Sequence, residues 1–350
     1  MKKLIRHVGN RFMRSWERAI GIMLPPNSRL FQVTDAPYKV FFPSARLKKF
    51  SNRYGYFSIT KPLVGKVTKD LKDIEIVQEL LNQPKENELV TAEIITKVLA
   101  YRNLWEGLEV TLPLHNAHGV ITPIQYRVDR VFDLWKSIPA YGLVPCDPMC
   151  SPLLIFRGTQ FSPFIKSGRA SIISDLDPQG PGRSLYTHAK PQLTDWLGGV
   201  TEQKKARVFG YSLGAALAGY ILIEESAYFS QNPQECSYLF HLPGIPDDLL
   251  ESYQKLPDKR RPAFHSYVSA GDLVSKIGHL FGPTTELKVT KPLPPITAHT
   301  KLLFAQKGCQ ARTVDVEREN TSFYRQHYTV IHRSTSELVG KFGLKYFFPR

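Results

Sequence analysis

No apolar run in this 350-residue chain approaches the length needed to span a bilayer, so the expectation is a soluble or peripheral protein. Cysteine is scarce as well. Cys146, Cys150, Cys236 and Cys309 are too few to staple a chain of this length, and we read them as reduced thiols. The alternative for the first two is a small closed loop. They also fall short of a zinc site, because the C-x-x-x-C pair has no second pair and His115 with His118 is a poor substitute. Internal repeats and low-complexity tracts are lacking. Near the start there is neither a continuous apolar run nor a small-residue cleavage site, so no secretory signal is read there. What is plentiful is apolar sequence in short pieces. At 42% of residues it is ample for a core, either one large α/β domain with an appended segment or two ordinary domains.

Acidic residues are the minority, 31 against 46 Lys and Arg, and the imbalance is concentrated. Residues 1–60 hold twelve Lys and Arg against Glu17 and Asp35, which is +10 of the formal +15. A nucleic-acid-binding fold more often carries its excess charge on its main body, so nucleic acid is the weaker partner here. Residues 1–24 read as a basic amphipathic helix, with Ile5, Val8, Phe12, Trp16 and Ile20 on one stripe and Pro25-Pro26 ending it. Such a helix docks on a folded body, lies on an anionic membrane surface or serves as an address, and all three readings stay open. An irregular wrap follows to residue 69, then two helices, DIEIVQELLNQ and TAEIITKVLAYRNLW, broken at Pro84. We therefore expect a basic extension over residues 1–120 and the main folded domain over 121–350.

The organising stretch is residues 206–220, ARVFGYSLGAALAGY. A β-branched and aromatic run enters Gly210-Tyr211-Ser212-Leu213-Gly214, and small, helix-favouring residues leave it. This is the G-x-S-x-G elbow in its required context of strand, turn and helix. The serine must sit in a sharp turn for its hydroxyl to clear the sheet edge, and side chains at the two glycines would collide with the neighbouring backbone.

Short strands are read over residues 124–135, 151–159, 264–270, 286–290 and 312–316, alternating with helices, which points to a mostly parallel central sheet in an α/β fold. Residues 160–193 are long and rich in Gly and Pro, yet carry Phe161, Phe164, Ile165, Ile172 and Ile173. We read a lid over an apolar site, with a plain surface excursion as the alternative. The apolar residues from 339 to 348 are expected to pack the C-terminus down.

A serine hydroxyl needs a base, and the base needs a carboxylate to fix its tautomer. Asp272 ends an apolar strand beyond the elbow, whereas Asp247, Asp248 and Asp258 lie in polar connections. Among the histidines that follow, His279 falls in the same loop as Asp272 and is set aside. His299, at the end of the Pro-rich KPLPPITAHT loop, is preferred as the base, and His327 and His332 remain open. One oxyanion donor is expected from the Leu213 N–H, and the other from the loop after an earlier strand, where Gly158 and Thr159 stand.

Together FRGT at 156–159, GYSLGAALA at 210–218, SAGDLVSKI at 269–277 and ITAH at 296–299 resemble the class 3 (fungal-type) lipases, over roughly residues 124–305. The resemblance implies an α/β-hydrolase fold, a lipid or similarly apolar acyl-ester substrate, a mobile lid and no cofactor or catalytic metal. It matches Thr159 to the oxyanion residue, Ser212 to the nucleophile, Asp272 to the acid and His299 to the base. Tyr211 stands where the family has His, and Ala215 where it often has Gly. His327, 55 positions beyond Asp272, suits the family's interval better than His299 at 27. A second class of function also fits: a non-catalytic lipid- or partner-binding protein on this scaffold, working through residues 1–60.

Overall fold

Leu153–Phe156 is four consecutive apolar residues, all buried, and it shows how the molecule is layered. Leu154 and Phe156 enter one hydrophobic cluster while Leu153 and Ile155 enter another, as alternation along a strand requires. The same split recurs downstream, where Val208 and Leu239 face the first cluster, and Phe209, Tyr211, Tyr238 and Phe240 face the second. At β4, β5 and β6 the sheet is therefore buried on both faces.

The computed structural model describes residues 88–102, 104–116, 118–135, 138–159, 174–288, 293, 295–300 and 310–341. Its nine strands lie in chain order: β1 (Glu109–His115), β2 (Ile121–Trp135), β3 (Ile138–Pro145), β4 (Leu153–Phe156), β5 (Arg207–Tyr211), β6 (Ser237–Phe240), β7 (Phe264–Ser269), β8 (Thr284–Lys288) and β9 (Gln310–Thr313). From β4 to β8 the pairings are parallel, and both flanks are antiparallel. This is an α/β fold with a mixed sheet. Because the strands advance in one direction, right-handed crossovers place the intervening helices on one face. Those helices are α2 (Arg183–Val200), α3 (Leu213–Glu224) and α4 (Asp247–Lys255), and all three contribute to the first cluster. The second cluster is closed by α1 (Glu88–Lys97), through Ala92, Ile94 and Ile95. Beyond β8 come the short α5 (Pro295–Thr300), then α6 (Val316–Asn320) and α7 (Phe323–Lys341). No described helix is long and apolar enough to cross a membrane.

Three sequence expectations are corrected. The boundary at 120/121 falls inside the fold: α1 covers the sheet, and β1 is its first strand, paired with β2 from Glu109↔Arg127 to His115↔Ile121. The second of the two expected helices stops at Lys97 and gives way to a 3₁₀ turn at Leu99–Tyr101. The stretch 160–193 is not one long loop, since Arg183 onward is helix, and Leu185, Ala189, Leu193 and Leu197 bury one stripe of it despite Pro191. Residues 160–173, the basic stretch 1–60, the helix expected at 73–83, and residues 342–348 of the apolar C-terminal stretch lie outside the described residues.

Candidate active site

All five residues of β5 are buried, and the strand delivers Ser212 in a turn with φ 55° and ψ −124°. The Ser212 N–H donates to the Phe240 carbonyl at 2.9 Å, and its own carbonyl accepts from the Ala215 N–H at 2.8 Å. A Cβ on Gly210 would run into the Gly214 carbonyl, and one on Gly214 into the Phe156 and Arg157 carbonyls. The elbow thus admits no side chain two positions before or two positions after the serine.

Asp272 follows β7 after Gly271, whose φ is +85°, and is fully buried. The Val274 N–H donates to its Oδ1 at 2.9 Å, and the Ser275 hydroxyl to its Oδ2 at 2.6 Å. Burial alone would raise its pKa. The His299 imidazole and the hydrogen bonds from His241 and His299 outweigh that, and they hold the carboxyl well below the usual range.

His299 is on α5, a single helical turn where the sequence reading placed a loop. Its Nδ1 lies 2.9 Å from Asp272 Oδ2 and its Nε2 2.7 Å from Ser212 Oγ. An ionised carboxylate can only accept, so Nδ1 carries the proton and Nε2 accepts from the serine hydroxyl. The Tyr211 hydroxyl donates to the His299 carbonyl at 2.9 Å, tying α5 to the elbow. The other two histidines are engaged elsewhere. His327 is exposed on α7 with its ring stacked on Phe323, centroids 5.7 Å apart. His332 donates its Nε2 proton to the Asp175 carbonyl at 2.7 Å.

Phe156 pairs with Gly210, so the segments leaving β4 and β5 emerge side by side. Gly158 allows this, because a Cβ there would lie 2.6 Å from the Tyr211 carbonyl oxygen. Thr159 is buried, and its hydroxyl donates to Asp175 Oδ2 at 2.7 Å. Burial pushes the Asp175 carboxyl up to about 7 in spite of that bond. The Leu213 N–H opens α3, in the turn where helical amides have no intrahelical acceptor.

Two residues of this site escaped the sequence reading. His241, just past β6, directs Nδ1 at Asp272 Oδ2 from 3.0 Å, and Lys97 of α1 donates to its Nε2 at 2.9 Å. His241, Asp272 and His299 bring ligand-type atoms within 4.8 Å of one another, the spacing of a metal site. Each of those atoms is already accounted for by a hydrogen bond, and the Lys97 ammonium beside them is an unfavourable neighbour for a cation.

No family model matches the chain, and neither does any curated protein. Among solved structures the chain is similar to a triacylglycerol lipase from Penicillium expansum. The identity is 13% and the TM-score 0.35, over 56% of this chain and 76% of that one.

Proposed function

We propose that the protein is a serine carboxylester hydrolase acting on a lipid or similarly apolar acyl ester. The observation that carries this reading is the unbroken line from Asp272 Oδ2 to His299 Nδ1 and from His299 Nε2 to Ser212 Oγ, at 2.9 and 2.7 Å. In the first half-reaction Ser212 Oγ attacks the ester carbonyl carbon while its proton passes to His299 Nε2. The Asp272 carboxylate keeps the ring oriented and stabilises the imidazolium. The amides of Leu213 and Thr159 receive the negative charge on the carbonyl oxygen. The Thr159 hydroxyl proton is directed at Asp175, so the amide is the donor assigned there. As the tetrahedral species collapses, the leaving alcohol takes the proton from His299 and an acyl-enzyme remains. Water then repeats the cycle, with His299 as base, and the carboxylic acid departs. An apolar acyl group is supported by the crowd of Phe and Ile in the sequence between β4 and α2. The charge of residues 1–60 supports contact with an anionic membrane surface.

The test compares wild-type protein with Ser212→Ala for turnover of a short-chain ester and for labelling by a fluorophosphonate, which reacts only with an activated serine. Turnover should fall by roughly three to six orders of magnitude in Ser212→Ala and labelling should vanish. His299→Ala should lose nearly as much, and His327→Ala little. A wild-type protein that neither labels nor turns over would leave the binding-protein reading in its place.

A further inference from the structure

Behind the Asp272 carboxylate runs a second line of buried polar groups that the hydrolytic steps do not use. Glu93 and Lys97 stand one turn apart on α1, both buried. Lys97 Nζ donates to Glu93 Oε1 at 2.7 Å and to His241 Nε2 at 2.9 Å. An ammonium has no lone pair, so it can only donate to that nitrogen, and the single proton of a neutral His241 must sit on Nδ1. There it points at Asp272 Oδ2, 3.0 Å away. Burial, with the Lys97 charge adding to it, holds His241 neutral down to about pH 3. Its backbone has φ +53°, a strained conformation for a histidine that persists only where the surroundings enforce it.

Asp272 Oδ2 therefore accepts from His299, His241 and Ser275 at once. Buried polar groups satisfying one another would account for the hydrogen bonds. They do not account for a fully buried ammonium one imidazole away from the acid, where an apolar side chain would pack at no desolvation cost. Resting on the hydrolase reading above, we propose that Glu93, Lys97 and His241 are positioning residues. They form an arm from α1 that fixes the Asp272 carboxylate and moderates the negative charge acting on His299. Among the described residues, Tyr211 and Ser212 of the elbow also meet His299, and the charge of Arg325 of α7, which donates to the Ser275 carbonyl at 2.6 Å, acts on Asp272.

The arm has a sign. Removing the Lys97 charge takes away a positive charge behind Asp272 and favours the protonated base. Removing the Glu93 charge takes away a negative charge on the arm and disfavours it. We would measure kcat/KM against pH for full-length Lys97→Met, Glu93→Gln and His241→Asn. Lys97→Met should move the acidic limb up by about one unit. That is about a tenfold loss well below the limb. Glu93→Gln should move it down, and His241→Asn should leave it close to wild type. Asparagine keeps a donor near the Nδ1 position and tolerates the left-handed backbone. A limb unmoved in Lys97→Met, or moved the same way in both charge variants, overturns the inference. A second measurement needs no variant to fold: ¹⁵N-histidine NMR of the wild-type chain should show His241 neutral with its proton on Nδ1 from pH 5 to 8. Titration in that range, or a proton on Nε2, also overturns it. Ser212→Ala run alongside separates the two failures, because retained turnover there would sink the hydrolase reading, while the His241 tautomer stands on its own.

Discussion

Ser212 pairs a positive φ with a β-carbon, a combination that costs on the order of 1–3 kcal/mol and survives only where neighbours enforce it. The enforcement comes from Gly210 and Gly214, whose missing side chains let the turn close on the Gly214 and Phe156 carbonyls. Gly214→Ala should therefore destabilise the protein by about 1–3 kcal/mol or more. On the proposed function it should cut fluorophosphonate labelling further than the lost stability explains, because the backbone must move at Ser212. A variant with unchanged melting temperature and labelling would refute this account of the elbow. Constraints of this kind lie within two residues of the serine, and so the elbow was legible in the sequence. Asp272 was legible for a similar reason, as the residue after a strand and a glycine. The choice among His299, His327 and His332 was not, since it depends on where α5 and α7 fold back. Lys97 and His241 were beyond reach: 144 residues separate them, and each alone is a lysine on a helix and a histidine after a strand.

At the scale of elements, β4 was read nearly where it lies, because burial on both faces leaves the unbroken apolar run Leu153–Phe156, whereas β1, β3 and β6 were not read as strands. The helix α2 was missed although its stripe of Leu185, Ala189, Leu193 and Leu197 has the correct period. Gly180, Pro181 and Gly182 just ahead of it, with Pro191 inside it, carry the local signature of a loop, and tertiary packing overrides that signature. Near its end Gly198 and Gly199 add flexibility that the contacts do not require. A Cβ on Gly199 would meet nothing within 4 Å. Gly199→Ala should accordingly raise stability by about 0.5–1 kcal/mol and leave the proposed ester turnover unchanged. Equilibrium urea unfolding would register it, and a loss of stability would show that the residue has a packing role its surroundings do not display.

For the whole molecule the decisive correction is the boundary drawn at 120/121, because composition marks a charge change in the chain and not the edge of a fold. Residues 88–115 supply α1, which covers the second hydrophobic cluster, and β1, which pairs along the edge of β2. They also supply charge. Arg207 of β5 is buried and makes two hydrogen bonds of 2.9 Å to the Glu88 carboxylate, which also accepts from Tyr238 at 2.7 Å. Burial by itself would raise the Glu88 pKa, but the Arg207 charge and hydrogen bonds prevail and lower it, so the pair is ionised in the folded state. Breaking such a pair from one side leaves a buried guanidinium uncompensated, at a cost of about 3–5 kcal/mol. Glu88→Gln in the full-length chain should lose that much in urea unfolding. A chain beginning at residue 121 loses the same partner, the helix over the second cluster and the first strand together. That is comparable to the whole stability of a typical domain, about 5–15 kcal/mol. Far-UV circular dichroism should find this fragment without a cooperative thermal transition, even though Ser212, Asp272 and His299 are all present. A cooperatively folded fragment that still labels with fluorophosphonate would restore the boundary read from the sequence and return α1 to the status of an appendage.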